Sequence, residues 1–192
     1  MDNADSSSIV LDLYRNVGVW KGADQLSSFS KENKKVISIF NVAEGISSIP
    51  EFPLERQAFN DIPVDVDNVI RRNLVGVDRK KFNLPPQFVS IPSRMVEIHQ
   101  KFNNEVFDID EQFSEGKINT IKKYSGGYTN VDSNGFQILI DYPRSNYVPK
   151  YSIESILNKN FSKDFFKNKM VVIGATAPSL KDTFAFPSSR FI

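Results

Sequence analysis

Two adjacent arginines, Arg71 and Arg72, are the first residues along the chain whose types and spacing could bind a ligand. They follow an acidic turn at residues 65–68 with the sequence D-V-D-N, and such residues favour turns because their side chains bond the nearby backbone. Successive side chains of a strand point to opposite faces. One arginine can therefore pair with Asp65 or Asp67 while the other faces a ligand, and a surface salt bridge is the alternative use of the second arginine.

The acidic turn could also begin a calcium-binding loop. The EF-hand template requires Gly at its sixth position and Glu at its twelfth, whereas this chain has Ile70 and Gly76 there. We therefore predict a β-turn. The chain has no cysteine and one histidine, His99, so a thiolate zinc site and a multi-histidine metal site are excluded. It also lacks the G-x-S-x-G motif of a serine nucleophile, and we find no Ser-His-Asp triad. The sequence predicts no catalytic residue, no metal ligand and no cofactor.

A second group of candidate ligand-binding residues follows the apolar strand predicted at residues 169–176. Its members are Thr176, Ser179, Lys181 and Asp182. Loops at the carboxyl ends of parallel strands are where α/β proteins usually bind ligands. The turn at Gly174 is similar to the end of a Rossmann strand, but the three-glycine fingerprint is absent and Pro178 follows. The alternative role for Asp182 is to cap a turn or a short helix.

The elements that must position these residues follow from the apolar pattern. Strands predicted at residues 9–14 and 36–40 are separated by a helix over 23–33, which is typical of parallel strands joined by a crossover. The segments 58–62 and 69–75 are predicted to pair as strands around the acidic turn. Further strands are predicted at 135–142 and 169–176, helices at 54–57, 90–102 and 152–157, a loop at 80–87, and irregular chain with short strands over 103–134.

The predicted fold class is therefore α/β: a single domain with a mixed, partly parallel central sheet flanked by helices. The chain has 192 residues, of which 40% are hydrophobic, enough for one domain with its own core. A net charge of +1 gives no field that would attract nucleic acid or an anionic membrane. Residues 1–8 are predicted to be a disordered leader or a cloning scar, and residues 9–192 the domain itself.

Several blocks of sequence occur in an order that identifies a family. They are L-D-L-Y-R-N at 11–16, A-F-N-D at 58–61, D-V-D-N-V-I-R-R at 65–72, a serine-initiated apolar helix at 90–102, G-F-Q-I-L-I-D-Y at 135–142, and K-M-V-V-I-G-A-T-A-P-S-L-K-D-T-F-A-F-P at 169–187. Together they resemble the second type of CHASE domain, the extracytoplasmic sensory module of bacterial cyclases and kinases. The chain departs from that pattern at Asn68, Asp141 and Phe186, where the family favours Gly, Asn and Thr.

The resemblance implies an input domain that passes ligand or stress signals to a cytoplasmic kinase or cyclase and has no enzymatic activity of its own. It implies membrane attachment through helices outside this chain, a homodimeric receptor, and a domain that continues beyond residue 192. The signal is an unidentified small molecule or protein, and the resemblance assigns no binding residues. Two alternatives remain open: a small Rossmann-like enzyme domain acting on a nucleotide or phosphate, and a protein–protein interaction domain.

Overall fold

The structure, a computed structural model, describes residues 8–12, 22–142, 148–158, 161–162, 164–174 and 184–187. In chain order its elements are β1 (Ser8–Leu11), α1 (Ala23–Glu32), β2 (Val36–Phe40), a 3₁₀ turn (Leu54–Arg56), β3 (Gln57–Phe59), β4 (Arg72–Gly76), α2 (Arg79–Phe82), α3 (Ile91–Phe102), α4 (Ile109–Ser114), β5 (Phe136–Leu139), α5 (Ile153–Leu157) and β6 (Met170–Ile173). They form an α/β domain, as the sequence predicts.

A four-stranded parallel sheet with the order β3-β2-β1-β6 forms the centre of the domain. Ile9 of β1 is in register with Val36 of β2 on one side and with Val171 of β6 on the other. Every residue of β1 and β2 is buried, as expected for parallel strands covered on both faces. Side chains on one face of these two strands pack against Met95 of α3, and side chains on the other face pack against Leu26 of α1. The predicted β-α-β opening is confirmed.

Strands β4 and β5 form a second, antiparallel sheet, and we call this two-stranded sheet the ribbon. Phe136 of the ribbon stacks on Phe113 of α4 with a centroid distance of 4.2 Å, which anchors that helix to the ribbon. Val89 forms a bridge with Gly76 of β4, and the next residue, Ser90, forms one with Phe59 of β3. The segment that leads into α3 therefore joins the ribbon to the parallel sheet.

Two local predictions were wrong. The segments 58–62 and 69–75 do not pair with each other: β3 adds in parallel to β2, and β4 pairs with β5. All three β3 residues are buried, so burying this strand against β2 outweighs a local hairpin. Regular helix also occurs where it was not predicted. Helix α2 overlaps the predicted loop at 80–87, and α4, whose first turn is capped by the Asp108 carboxylate, lies where irregular chain with short strands was predicted.

An ion network fixes α3 to its surroundings. Arg94, which is 5% exposed, contacts the Glu97 carboxylate and donates hydrogen bonds to the backbone carbonyls of Gln57, at 3.2 Å, and Pro86. Arg79 donates to the same Pro86 carbonyl at 3.0 Å, and its Nη2 lies 3.8 Å from Oε1 of Glu97. Burial raises the pKa of Glu97, and the charges of Arg94 and Arg79 oppose that rise.

Candidate functional site

The acidic turn predicted from the sequence is present and precedes the ribbon. The Asn68 N–H donates to the Asp65 carbonyl at 2.8 Å, and the Asp65 N–H donates to the Val69 carbonyl at 3.1 Å. Asn68 has a φ of 61°, in the left-handed region that Asn tolerates better than most residues. The turn returns the chain so that the two arginines that follow lie beside the carboxylates of the turn.

Arg72 is an internal anchor of this site and is 5% exposed. Its Nε and Nη2 donate to Oδ1 of Asp65 at 2.9 and 2.7 Å. Its Nη1 donates to Oε1 of Gln137 at 2.6 Å and to the Asp132 carbonyl at 3.1 Å. All three guanidinium nitrogens are thus bound to protein oxygens, so Arg72 holds the turn against β5 and the preceding loop.

Arg71 lies on the more exposed side of the same turn. Its Nη1 and Nη2 bind the two carboxylate oxygens of Asp67 at 2.8 and 2.9 Å, and Nη1 also lies 3.0 Å from Oδ2 of Asp65. The side chain of Arg71 is 33% exposed and that of Asp67 is 35% exposed. Hydrogen bonds to Asp67 and Asp65 raise the pKa of Arg71. Both arginines therefore contact Asp65, and the salt bridge that the sequence allowed for the second arginine is present.

A cavity of about 350 Å³ opens beside this turn. Asp65, Arg71, Gly127, Tyr128 and Leu139 line it. The Tyr128 hydroxyl donates to Oδ2 of Asp65 at 2.9 Å, and the same ring lies 5.4 Å from the Arg72 guanidinium carbon. The cavity therefore combines one partly exposed guanidinium, a tyrosine ring and an apolar leucine wall.

A family model described as the CHASE2 domain matches residues 1–192, the whole chain. The chain belongs to the CHASE2 domain family. CHASE2 domains are extracytoplasmic sensory domains, so this chain is a sensory domain and the resemblance recognised from its sequence blocks is confirmed. Searches among curated proteins and among solved structures gave no match.

In the acidic turn of this CHASE2 domain, burial and hydrogen bonds act in opposite directions on the pKa of Asp65. Burial alone would raise its pKa, but hydrogen bonds from Arg71, Arg72 and Tyr128 outweigh burial and hold the pKa below its usual value. A carboxylate with a lowered native pKa stabilises the fold above its unfolded pKa, about 3.9 for Asp. That stabilisation is lost as the pH falls through the native pKa.

The lowered pKa of Asp65 can be tested by measuring stability in acid. The free energy of unfolding should decrease as the pH falls below about 4, and Asp65→Asn should flatten that decrease because its amide does not titrate. Urea unfolding curves measured across this pH range would give both slopes. Asp24→Asn, which changes an exposed carboxylate in α1, is the control and should keep the wild-type slope. An Asp65→Asn slope equal to that of the wild type would contradict this account of Asp65.

Three residues of this site were not predicted from the sequence: Tyr128, Asp132 and Gln137. Tyr128 and Asp132 lie in a polar segment without regular structure, and no local pattern marks them. Gln137 does carry a signal, because it is a polar residue in an otherwise apolar strand and is 4% exposed. A buried amide in such a strand needs a hydrogen-bonding partner, and here its partner is Arg72.

The second group of predicted ligand residues, Thr176, Ser179, Lys181 and Asp182, lies outside the described residues. The last described residue before them, Gly174, has a packing role, because a Cβ added there would lie 3.2 Å from Oδ2 of Asp12. Glycine thus allows the end of β6 to approach the end of β1.

The described part of this CHASE2 domain shows neither a metal-binding cluster nor a membrane-spanning helix. Among the residues that the structure describes, no group of three or more His, Cys, Asp or Glu side chains is arranged to hold a metal ion. Asp65 and Asp67 contact arginines, which leaves the acidic turn occupied by protein cations. No helix in the described ranges is both long enough and apolar enough to cross a membrane.

Proposed function

We propose that this CHASE2 domain is the extracytoplasmic input domain of a bacterial transmembrane receptor and that it detects a small carboxylate-bearing solute at Arg71. The observation that carries the proposal is the contrast between the two arginines. Arg72 is buried and anchored on every nitrogen, whereas Arg71 lines an open cavity and has a partly exposed partner, Asp67.

A carboxylate ligand fits this site because it can replace Asp67 on Arg71. The guanidinium already binds Asp67 through two parallel hydrogen bonds, which is the geometry that it offers to any carboxylate. The charge of Asp65 is compensated by Arg72, so it opposes an incoming anion less than a free carboxylate would. Tyr128 and Leu139 would contact the rest of the solute.

Ligand binding would act on the fold through the acidic turn. A solute that takes the place of Asp67 releases one of the two carboxylates that hold Arg71 ahead of β4. The turn and the ribbon would then prefer a different arrangement, by as much as the affinity of the ligand for the two states differs. In the proposed homodimeric receptor, membrane helices outside this chain carry that change to a cytoplasmic kinase or cyclase.

Thermal denaturation with citrate, succinate and lactate tests the ligand class. A carboxylate present at one hundred times its dissociation constant should stabilise the domain by about 2.7 kcal/mol. For this size of domain the melting temperature should rise by roughly 5–10 °C. Arg71→Gln should abolish the rise, and Lys80→Gln, which removes the same charge from an exposed site, should keep it. An equal rise in Arg71→Gln, or no rise with any carboxylate, would contradict the ligand assignment.

The receptor context has a separate test. The reading frame that contains this segment should encode membrane-spanning helices beside the domain and a kinase or cyclase beyond them. A reading frame that encodes no membrane helix would rule out the transmembrane receptor, whatever the ligand experiments show.

A further inference from the structure

A second cavity, of about 330 Å³, lies at the carboxyl ends of two parallel strands. Val42 follows β2 and Asp61 follows β3, and both line the cavity together with Phe59. Leu74 of the ribbon lines it from another side. The cavity therefore lies between the parallel sheet and the ribbon, at the sheet edge where α/β proteins most often bind ligands.

The wall of this cavity is apolar. Leu84 and Phe88, from the segment between α2 and α3, complete the lining begun by Phe59 and Leu74. Phe88 is held in place by an edge-to-face contact with Phe40, with a centroid distance of 5.8 Å. The volume is at the lower end of the range for small-molecule pockets. Such a cavity suits a compact apolar group, for example one ring with a short side chain.

Asp61 carries the only charge among the described residues that line this cavity. Its two carboxylate oxygens accept hydrogen bonds from the backbone N–H groups of Val42, at 2.9 Å, and Ala43, at 2.8 Å. A carboxylate offers about four acceptor positions, so Asp61 retains acceptor capacity beyond these two bonds. An anion would meet this charge beside apolar walls, whereas a protonated amine would be attracted to it.

We propose that this cavity binds a small apolar molecule that carries one protonated amine, with the amine at Asp61 and the apolar body against Phe59 and Phe88. The site goes beyond the proposed function at Arg71, because it is a different cavity with the opposite charge preference. A ligand here would touch the ends of β2 and β3 and also Leu74 of β4, so its occupancy would depend on how the ribbon sits against the parallel sheet.

The test uses three probes of similar size and different charge: phenethylamine, 2-phenylethanol and phenylacetate. Titrations followed by ¹H–¹⁵N spectra should shift the amide signals of Val42 and Ala43, whose N–H groups contact Asp61. We expect phenethylamine to bind most tightly and phenylacetate least tightly. Asp61→Asn should weaken phenethylamine about tenfold, since a charge-assisted hydrogen bond is lost, and should leave 2-phenylethanol nearly unchanged.

Two further variants keep the test decisive. Asp108→Asn is the matched control, because Asp108 also accepts two backbone hydrogen bonds, from Asp110 and Glu111, but does not line this cavity. It should leave the affinity for phenethylamine unchanged. Leu84→Trp, which fills the cavity, should weaken all three probes and serves as the deciding variant if Asp61→Asn does not fold.

Three results would overturn the proposal. The first is that phenylacetate or 2-phenylethanol binds as tightly as phenethylamine. The second is that the affinity for phenethylamine is unchanged in folded Asp61→Asn or in Leu84→Trp. The third is that millimolar phenethylamine shifts no amide signal. Each of these results concerns the amine cavity alone. The carboxylate titrations at Arg71 would stand or fall separately, so failure of one site is distinguishable from failure of the other.

Discussion

Replacing Arg72 with methionine should lower the free energy of unfolding by about 3 kcal/mol, because a buried ion pair loses one partner. Oδ1 of Asp65 loses the hydrogen bonds from Nε and Nη2 of Arg72, and Oε1 of Gln137 loses a hydrogen bond of 2.6 Å. For a domain of this size the melting temperature should fall by roughly 6–12 °C. Urea unfolding and thermal melts would both measure the loss.

The matched control for this prediction is Arg71→Met. It removes the neighbouring arginine from the same turn, but the Arg71 side chain is 33% exposed and water can solvate the Asp67 carboxylate that it leaves. The loss should therefore be smaller than for Arg72→Met. Adding Asp65→Asn to Arg72→Met should recover part of the stability, because the buried carboxylate is then uncharged. Equal losses in the two single variants would contradict the anchoring role of Arg72.

Replacing Arg94 with methionine should also cost about 3 kcal/mol, and the cost should depend on pH. Glu97 would keep only Arg79, whose Nη2 lies 3.8 Å from its carboxylate, and burial would raise the pKa of Glu97 further. A raised native pKa means that the folded state holds the proton longer than the unfolded chain. Stability then falls as the pH rises from the unfolded value of about 4.3 through the native value.

Unfolding measured at several pH values would separate this effect from a simple packing loss. Arg94→Met should lose more stability at pH 7 than at pH 5, and the double variant Arg94→Met, Glu97→Gln should lose that pH dependence. The single variant Glu97→Gln completes the double-mutant cycle. It removes the charge of Glu97 but leaves the hydrogen bonds from Arg94 to the carbonyls of Gln57 and Pro86 in place. A loss in Arg94→Met that is the same at every pH would show that the charge of Glu97 does not matter.

Local features of this fold could be predicted from the sequence because they are encoded within a few residues. The crossover from β1 through α1 to β2 follows from apolar periodicity, and the D-V-D-N turn follows from residues that bond their own backbone. The helices predicted at 90–102 and 152–157 are present as α3 and α5, and Ser90 and Ser152 cap them. Helix α4 could have been found too, because Asp108 and Glu111 stand at the first and fourth positions of a capping box.

Long-range pairings could not be predicted in the same way. The short strand β3 pairs with β2 because this pairing buries it. Strand β4 pairs with β5, and the partners Gly76 and Phe136 are 60 positions apart in the sequence. Nothing near Arg72 in the sequence indicates that Tyr128 and Gln137 will surround it. The two arginines could be singled out from the sequence, and a ligand-binding role for Arg71 stays a prediction. The cavity beside them and the second cavity at Asp61 became visible only in three dimensions.

The parallel sheet also sets the order in which the chain can fold. Ser8 of β1 pairs with Met170 of β6, so neighbouring central strands come from opposite ends of the described chain. Bringing β1 and β6 together closes a long loop, and the entropy cost of closure comes before the strands gain any stabilising contact. Folds with such long-range pairings form slowly. During synthesis or export, β1 can pair with β2 early, but its other edge must wait until residue 173 has emerged. Until then an apolar strand edge stays open, and that is the interval in which this domain is most exposed to aggregation.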